Sequence, residues 1–393
     1  MRRSDRHILT THTGSLPRAE HLRALVVGRE QGRPHDVDRF ESIVRDEVFK
    51  VVRKQRDSGL DVVNDGEQSK ASFHRYRFDR LSGFEFVNHP PRPRYGRPAM
   101  REARDFPEFY ERWSRQWRGD GDGDGEEPTG TLCCTGPVAW KGFAETERDI
   151  ANLLAAAADP PEVDGAGEVF MTSISPATYA PPNLHYDNQD AYLEALADAM
   201  AFEYRAIIDA GLVLQIDAPD LTTMYRLADL SLTEYAEITE RSVEAINRAT
   251  RDLPADRIRV HVCWGADEAP HHRDVPLRDI VGLLLRLRPQ GLAVPGANGR
   301  HSHEWRVWAD VGLPDGKILI PGVIDSTSNI IEHPEAVAER IGRYEHVVGR
   351  PNLIAGVDCG FGTVAGVCQV DERVVWAKLR SLAEGARLAS AGS

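Results

Sequence analysis

Short apolar, β-branched runs alternate with longer amphipathic stretches along most of the chain, the rhythm of parallel β/α units. Between 36 and 58, Phe40, Ile43, Val44, Val48, Val51 and Val52 recur at helical spacing, and Gly59 follows as a stop. Residues 190–210 repeat the pattern with Leu193, Leu196, Met200, Tyr204 and Ile207, ending at Gly211. Ser231 and Glu234 read as a capping box that opens a helix running to about Thr250. The same spacing predicts helices at 145–158, 275–288, 334–348 and 371–389. Strands are predicted at 8–13, 61–65, 131–137, 168–174, 212–217, 257–263, 291–295, 317–324 and 353–358. Nine candidates are one too many for an eight-stranded ring, so one must be no strand or lie outside it.

The segment 88–130 interrupts this rhythm. It is rich in Pro, Arg and aromatic residues and runs into GDGDGDGEEPTG. Asp120, Asp122, Asp124 and Gly125 have the spacing of a calcium loop, but Thr131 stands where the twelfth-position Glu belongs. An acidic loop tip is the simpler reading. At 393 residues and 41% apolar, the chain can fill one large barrel or two ordinary domains. The formal charge of −13 and the lack of a basic stripe argue against a nucleic-acid surface. No apolar run is long enough to span a membrane, and MRRSDRHILTTHTGS lacks the apolar core of a secretory signal, so a cytoplasmic location is expected. Five cysteines suggest reduced thiols rather than a disulfide framework.

Several unusual polar residues occupy equivalent places. Ser15, Glu67, Asp217, His261, Cys263, Asp325 and Cys359 each end or closely follow a predicted strand. In a β/α barrel those ends share one rim, where active sites are built. In His261-Val262-Cys263 the outer two side chains point to one face of a strand and can reach one ion together, with Cys359 as a second sulfur. Two thiolates and an imidazole favour zinc over magnesium or calcium. Against this, H-x-C alone is a weak signal and a buried cysteine is commonly a small hydrophobe. Glu67 and Asp217 fit either rim acids paired with arginines or a site for a cationic group, such as the ammonium of an amino acid.

Six ordered blocks, HILTTHTGSLPR, VVNDGEQS, LQIDAPDL, HVCWG, IPGVIDSTSNIIEHPE and VDCGFGT, resemble the cobalamin-independent methionine synthase superfamily. The resemblance is greatest to its shorter, single-barrel branch, which includes epoxyalkane:coenzyme M transferases, and runs from residue 7 to about 390. It implies one α/β unit over 1–393, a TIM (β/α)8 barrel with an excursion at about 88–130. It also implies a zinc ion held by His261, Cys263 and Cys359 that binds a small substrate thiol as thiolate. Ser15 and Glu67 match positions that hold the amino acid substrate, and Asp217 matches the acid that pairs with its ammonium. Asp325 is a candidate catalytic residue.

Two positions depart from the family pattern. Pro295 stands where a glutamate zinc ligand is usual, leaving His301, His303, Glu304, water or substrate to fill the fourth place. Thr327 replaces the proton-donating histidine, as is usual in the shorter branch. The separate N-terminal barrel of the long methionine synthases has no counterpart. The implied activity is thiol alkylation or methylation by a folate, corrinoid or epoxide donor. An epoxide–thiol transferase or carbon–sulfur lyase on the same site is the alternative. A degenerate barrel that only binds a small molecule is the alternative of another class, and a decarboxylase on the same barrel ranks last.

Overall fold

The computed structural model describes residues 1–88, 101–118, 130–159, 167–367 and 369–392. The Asp120–Gly125 motif and Cys368 lie outside the described residues. In chain order the strands are β1 (Leu9–Thr10), β2 (Val62–Val63), β3 (Phe84–Val87), β4 (Thr131–Cys134), β5 (Glu168–Ile174), β6 (Val213–Asp217), β7 (Ile258–His261), β8 (Gly291–Val294), β9 (Ile318–Ile324) and β10 (Ile354–Val357). Eight of them form one parallel sheet in the order β1-β10-β9-β8-β7-β6-β5-β2. β1 and β2 meet through side chains instead of a ladder. Thr10 donates from both N and Oγ1 to Asp61 Oδ2 at 2.8 Å, and Asp61 N donates back to Thr10 Oγ1 at 3.1 Å. The result is the expected, nearly closed β/α barrel.

The surplus strand candidate is the one at 131–137. It is a strand, but it pairs antiparallel with β3 in a hairpin outside the ring. β3 carries no sequence signal of its own, because FEFV is short and partly exposed. Most predicted helices appear within two or three residues of the expected bounds, including Val37–Asp57 behind an Asp36 cap and Pro334–Val348. The Ser231–Glu234 capping box forms in both directions. The helix expected at 275–288 is shorter, Leu277–Leu284. The excursion also carries helices Arg101–Asp105 and Pro107–Arg118.

Alternation along the strands sorts side chains to two faces. Leu214, Ile216 and Val260 pack outward into the main apolar core beneath the helices. The inward-facing set turns polar at its upper level. Arg259 is 1% exposed; its Nε donates to Gln215 Oε1 at 2.8 Å and its terminal nitrogens donate to Thr11 Oγ1 and His12 O at 3.0 Å. The guanidinium also lies 3.7 Å from the centre of the Phe170 ring. Below it, Leu9, Ala293, Ile318, Ile320 and Ile354 form a separate small apolar cluster.

A second buried cation ties the helices to the hairpin side of the barrel. Arg80 donates to Asp149 at 2.5 Å and to Glu203 at 2.8 Å, and Tyr76 also donates to Glu203 at 2.8 Å. All three charged groups are at least nine-tenths buried, so removing the cation strands two carboxylates. Arg80→Met should destabilise the protein by about 3–5 kcal/mol in urea denaturation. A loss below about 1 kcal/mol would show that Asp149 and Glu203 have another way to be neutralised.

Candidate functional site

A cavity of about 2120 Å³ opens over the C-terminal strand ends. Its floor includes Ser15, Glu67, Asp217, His261, Cys263 and Cys359. Phe84, Phe86, Thr131 and Leu132 of the hairpin, together with Trp113, contribute to its wall. The excursion therefore encloses the site from one side.

The strand geometry explains the floor. His261 ends β7, but Val262 N still donates to Ala293 O at 2.8 Å, so the extended path and its alternation continue to Cys263. Cys359 follows β10, where the register shifts between Gly356 and Val357 and Asp358 N bonds to Ile324 O at 2.9 Å. As a result one ligand atom each of His261, Cys263 and Cys359 lies within 4.8 Å of the others. Among the described residues no other group of His, Cys, Asp or Glu converges in this way.

This set fits a soft divalent ion. The two sulfurs are 3.4 Å apart, near the ~3.8 Å expected when two thiolates share a tetrahedral zinc with bonds of about 2.3 Å. Both nitrogens of the buried His261 ring lack a properly oriented hydrogen-bond partner, although Cys263 is close enough to influence its charge. The hydrogen bond between the sulfurs holds Cys263 well below the ordinary thiol range and Cys359 well above it. Gly265 N also donates to Cys263 Sγ at 3.3 Å. Without a cation the pair thus gives up its first proton readily and its second with difficulty.

Beside the sulfurs stand two carboxylates. Glu67 adopts a left-handed φ of 55° and is 2% exposed. One of its oxygens accepts from Thr172 Oγ1 at 3.0 Å, and the other is buried without a partner. Asp217 accepts from Gln215 Nε2 at 2.8 Å, which links it to Arg259 below. Burial lifts Asp217 to about 7; His261 opposes that rise and the Glu67 charge adds to it. Ser15 Oγ accepts from Gly362 N at 3.4 Å. Among the described residues neither carboxylate is salt-bridged to an arginine.

Buried charges hold the loops that carry these groups. Arg18 donates to Gly362 O, Glu67 O and Lys70 O, each at 2.7 Å, joining the loops after β1, β2 and β10. Asp358 accepts from Gly296 N, Ala297 N and Asn298 N at 2.8 Å and from Asn298 Nδ2 at 2.9 Å. That anchor fixes the Pro295 loop to the residue before Cys359. Gly322 is required beside it, since a Cβ there would stand 2.0 Å from Asp358 Oδ1.

Other expected residues lie elsewhere. Asp325 is not among the described residues lining the cavity; its Oδ1 accepts from Thr327 N and Oγ1 at 2.9 and 2.8 Å, shaping its own loop. Glu304 and His301 do not reach the floor cluster. Glu304 accepts from Leu277 N and His301 Nδ1, both at 2.8 Å, while His301 Nε2 lies 3.2 Å from Asp274. His303 is exposed. Lys70, which sequence reasoning passed over, is buried at the cavity, with Nζ donating to Thr172 O at 2.8 Å and lying over the Tyr76 ring.

Comparison with known proteins agrees with this architecture. Residues 8–101 match the family described as cobalamin-independent synthase, catalytic domain. A methionine synthase of Sulfolobus acidocaldarius is 24% identical over 89% of this chain and 85% of its own length. The 2-hydroxypropyl-CoM lyase of Xanthobacter autotrophicus is 25% identical over 90% of this chain and 86% of its own. A longer 5-methyltetrahydropteroyltriglutamate–homocysteine methyltransferase of Acidithiobacillus ferrooxidans is matched over only 39% of its length. A B12-independent methionine synthase from Shewanella sp. W3-18-1, solved with selenomethionine, superposes with a TM-score of 0.69 at 17% identity over 97% of both chains and shares the fold. No helix among the described residues is long and apolar enough to cross a membrane.

The raised Asp217 carboxyl makes a pH prediction. Its folded value of about 7 lies above the ordinary 3.8, so the folded protein retains a proton that the unfolded chain has released between those values. Stability therefore falls as pH rises from about 4 to 7 and stays lower above that range. In chelator-treated protein, Asp217→Asn should gain stability over the parent at pH 8, on the order of a few kcal/mol, and little at pH 4. Equal melting shifts at both pH values would remove Asp217 as the titrating group.

Proposed function

A relative of the cobalamin-independent methionine synthases in single-barrel form, this chain is, we propose, a zinc-dependent transferase that alkylates a small thiol. The observation that carries the reading is the convergence of His261, Cys263 and Cys359 at the floor of the cavity over the strand ends. We take 1–393 as one catalytic unit. Zinc held by these three residues would supply a Lewis acid that keeps a substrate thiol deprotonated near neutral pH while leaving its sulfur nucleophilic.

The protein's own groups do the rest. The partnerless oxygen of Glu67 and the carboxylate of Asp217 bind a cationic substrate group, the ammonium of an amino acid thiol being the fit. An incoming ammonium draws the proton off Asp217, because the new charge offsets the burial that raised it. Ser15 is placed to orient the same substrate. Pro295 offers no side-chain ligand, and its loop is anchored by Asp358, so the fourth place falls to water or the substrate sulfur. The donor we propose is a methylated folate, a methylcorrinoid or an epoxide, the first in keeping with a relative named 5-methyltetrahydropteroyltriglutamate–homocysteine methyltransferase. The lyase relative favours carbon–sulfur cleavage or epoxide–thiol transfer on the same site as the second reading.

Metal analysis should find about one zinc per chain, lost in Cys263→Ser and in Cys359→Ser. Full zinc retention in both variants would refute the site and leave the degenerate, binding-only barrel. Substrate recognition has its own test by calorimetry. Asp217→Asn should weaken an amino acid thiol such as homocysteine by ~1.5–3 kcal/mol and leave an amine-free thiol nearly unaffected. Equal weakening of the two would make Asp217 structural.

A further inference from the structure

Among the described residues, three deeply buried lysine and arginine side chains line the cavity, and two of them are paired with carboxylates. Arg80 holds Asp149 and Glu203, and Arg226 holds Asp267 at 2.9 Å. Lys70 is as buried as Arg226, at 4% exposed, yet no described carboxylate lies in salt-bridge contact with it. Its Nζ has one good acceptor, Thr172 O at 2.8 Å; the Thr172 hydroxyl is 3.4 Å away and the Tyr76 ring centre 4.3 Å. Other buried cations without a carboxylate are satisfied more fully. Arg18, Arg77 and Arg259 each donate to three oxygen acceptors, and all three stand off the cavity. A buried charge is tolerated when it is paired or richly hydrogen-bonded. Lys70 is neither, and it stands where a ligand can complete it.

Hydrogen bonds fix where this charge lies on the floor. Thr172 Oγ1 accepts from Lys70 and donates its own proton to Glu67 Oε1 at 3.0 Å, so one hydroxyl separates the ammonium from the carboxylate. The other Glu67 oxygen is the buried one without a partner. The turn that carries Ser15 closes on the same point. A Cβ on Gly14 would stand 2.5 Å from Thr172 Cγ2 and 2.9 Å from Glu67 Oε1. Ser15 in turn abuts Gly360, the neighbour of Cys359, where a Cβ would stand 2.1 Å from Ser15 Oγ. An under-satisfied cation and an unsatisfied carboxylate oxygen thus stand side by side, on the flank of the floor that leads to the sulfurs.

We propose that Lys70 binds the anionic group of the acceptor thiol, a carboxylate or a sulfonate, and so determines which thiols the site accepts. The inference rests on the thiol-alkylation reading above for the sulfur end of that substrate. The anion gives the Lys70 ammonium a charge-assisted hydrogen bond and the counter-charge that the protein withholds. A substrate that also carries an ammonium satisfies Glu67 one hydroxyl away. An amino acid thiol therefore answers both charges, and a thiol sulfonate answers one. A thiol without an acidic group leaves Lys70 uncompensated.

Binding to the zinc-loaded protein can be read by ligand-observed NMR with pairs of probes that differ in the acidic group. Homocysteine is set against its methyl ester, and coenzyme M against 2-mercaptoethanol. In the parent, the acidic member of at least one pair should bind about tenfold or more tighter, and equal affinities within both pairs overturn the proposal without any variant. Lys70→Met keeps the stem and removes the charge. It should raise the Kd of the acidic probe at least about tenfold and that of its neutral partner less than about twofold, while Lys70→Arg recovers most of the loss. The melting temperature of ligand-free Lys70→Met should not fall, because no carboxylate is stranded. Equal weakening of acidic and neutral probes, or no weakening of either, would overturn the assignment. 2-Aminobutyrate, which is homocysteine without its sulfur, separates this proposal from the reading beneath it. A parent that binds thiols no tighter than 2-aminobutyrate, with 2-aminobutyrate weakened in Lys70→Met, upholds the anion subsite and fails the thiol-alkylation reading. Thiols that outbind 2-aminobutyrate equally well in parent and Lys70→Met do the reverse.

Discussion

A guanidinium without a carboxylate in contact lies inside the barrel, and the candidate site is built above it. Arg259 is pushed down to about 10 by burial, but that still leaves it charged at neutral pH. A buried cation must spend its donors, and it spends them on three groups of two different strands: Gln215 of β6, and Thr11 and His12 just beyond β1. The remaining compensation comes from the Phe170 ring. Gln215 then has its amide nitrogen free to point upward, where it donates to Asp217 and to Thr13 O. The orientation of one cavity carboxylate thus follows from the partners of a cation two residues below His261.

The rim above obeys the same rule. Arg18, Arg77 and Asp358 are buried charges, and each satisfies itself on backbone groups of loops that are otherwise unrelated in sequence. Each therefore acts as a joint. Arg18 fixes the left-handed Glu67, Arg77 fixes the loop after β5, and Asp358 fixes the turn after Pro295. A rigid rim lets His261, Cys263 and Cys359 face one point, the form of preorganisation that a site acting by positioning needs.

Most of this was legible in the chain, and the unread parts share a cause. Apolar runs marked every ring strand, because burial on both faces imposes a composition. Strand 131–134 looked like the others, since its buried Cys133 and Cys134 resemble core residues whether a strand pairs parallel or antiparallel. His261, Cys263 and Cys359 were singled out by their shared strand-end position and by the family resemblance, H-x-C alone being a weak signal. Asp325 met the same positional criterion, but its carboxylate bonds to Thr327 within its own loop, a local choice that strand-end position does not encode. Lys70 escaped notice for another reason. Its distinguishing feature is its burial at the cavity, which the residue type does not announce.

The order of the ring has a consequence for the making of the protein. β1 is the first strand synthesised, yet its ladder partner is β10, the last. Cys263 and Cys359 stand 96 positions apart in the chain, so at roughly 5–20 residues per second the first sulfur waits about 5–20 s for the second. If zinc is held as proposed, a growing chain displays His261 and Cys263 as a bare two-donor pair, too few ligands to retain the ion firmly against cellular competitors. Only when β10 slots between β9 and β1 do ring closure and the third ligand arrive together. On the proposed zinc reading, metal capture would be tied to the completion of synthesis, and a chain stalled before β10 would lack the third donor.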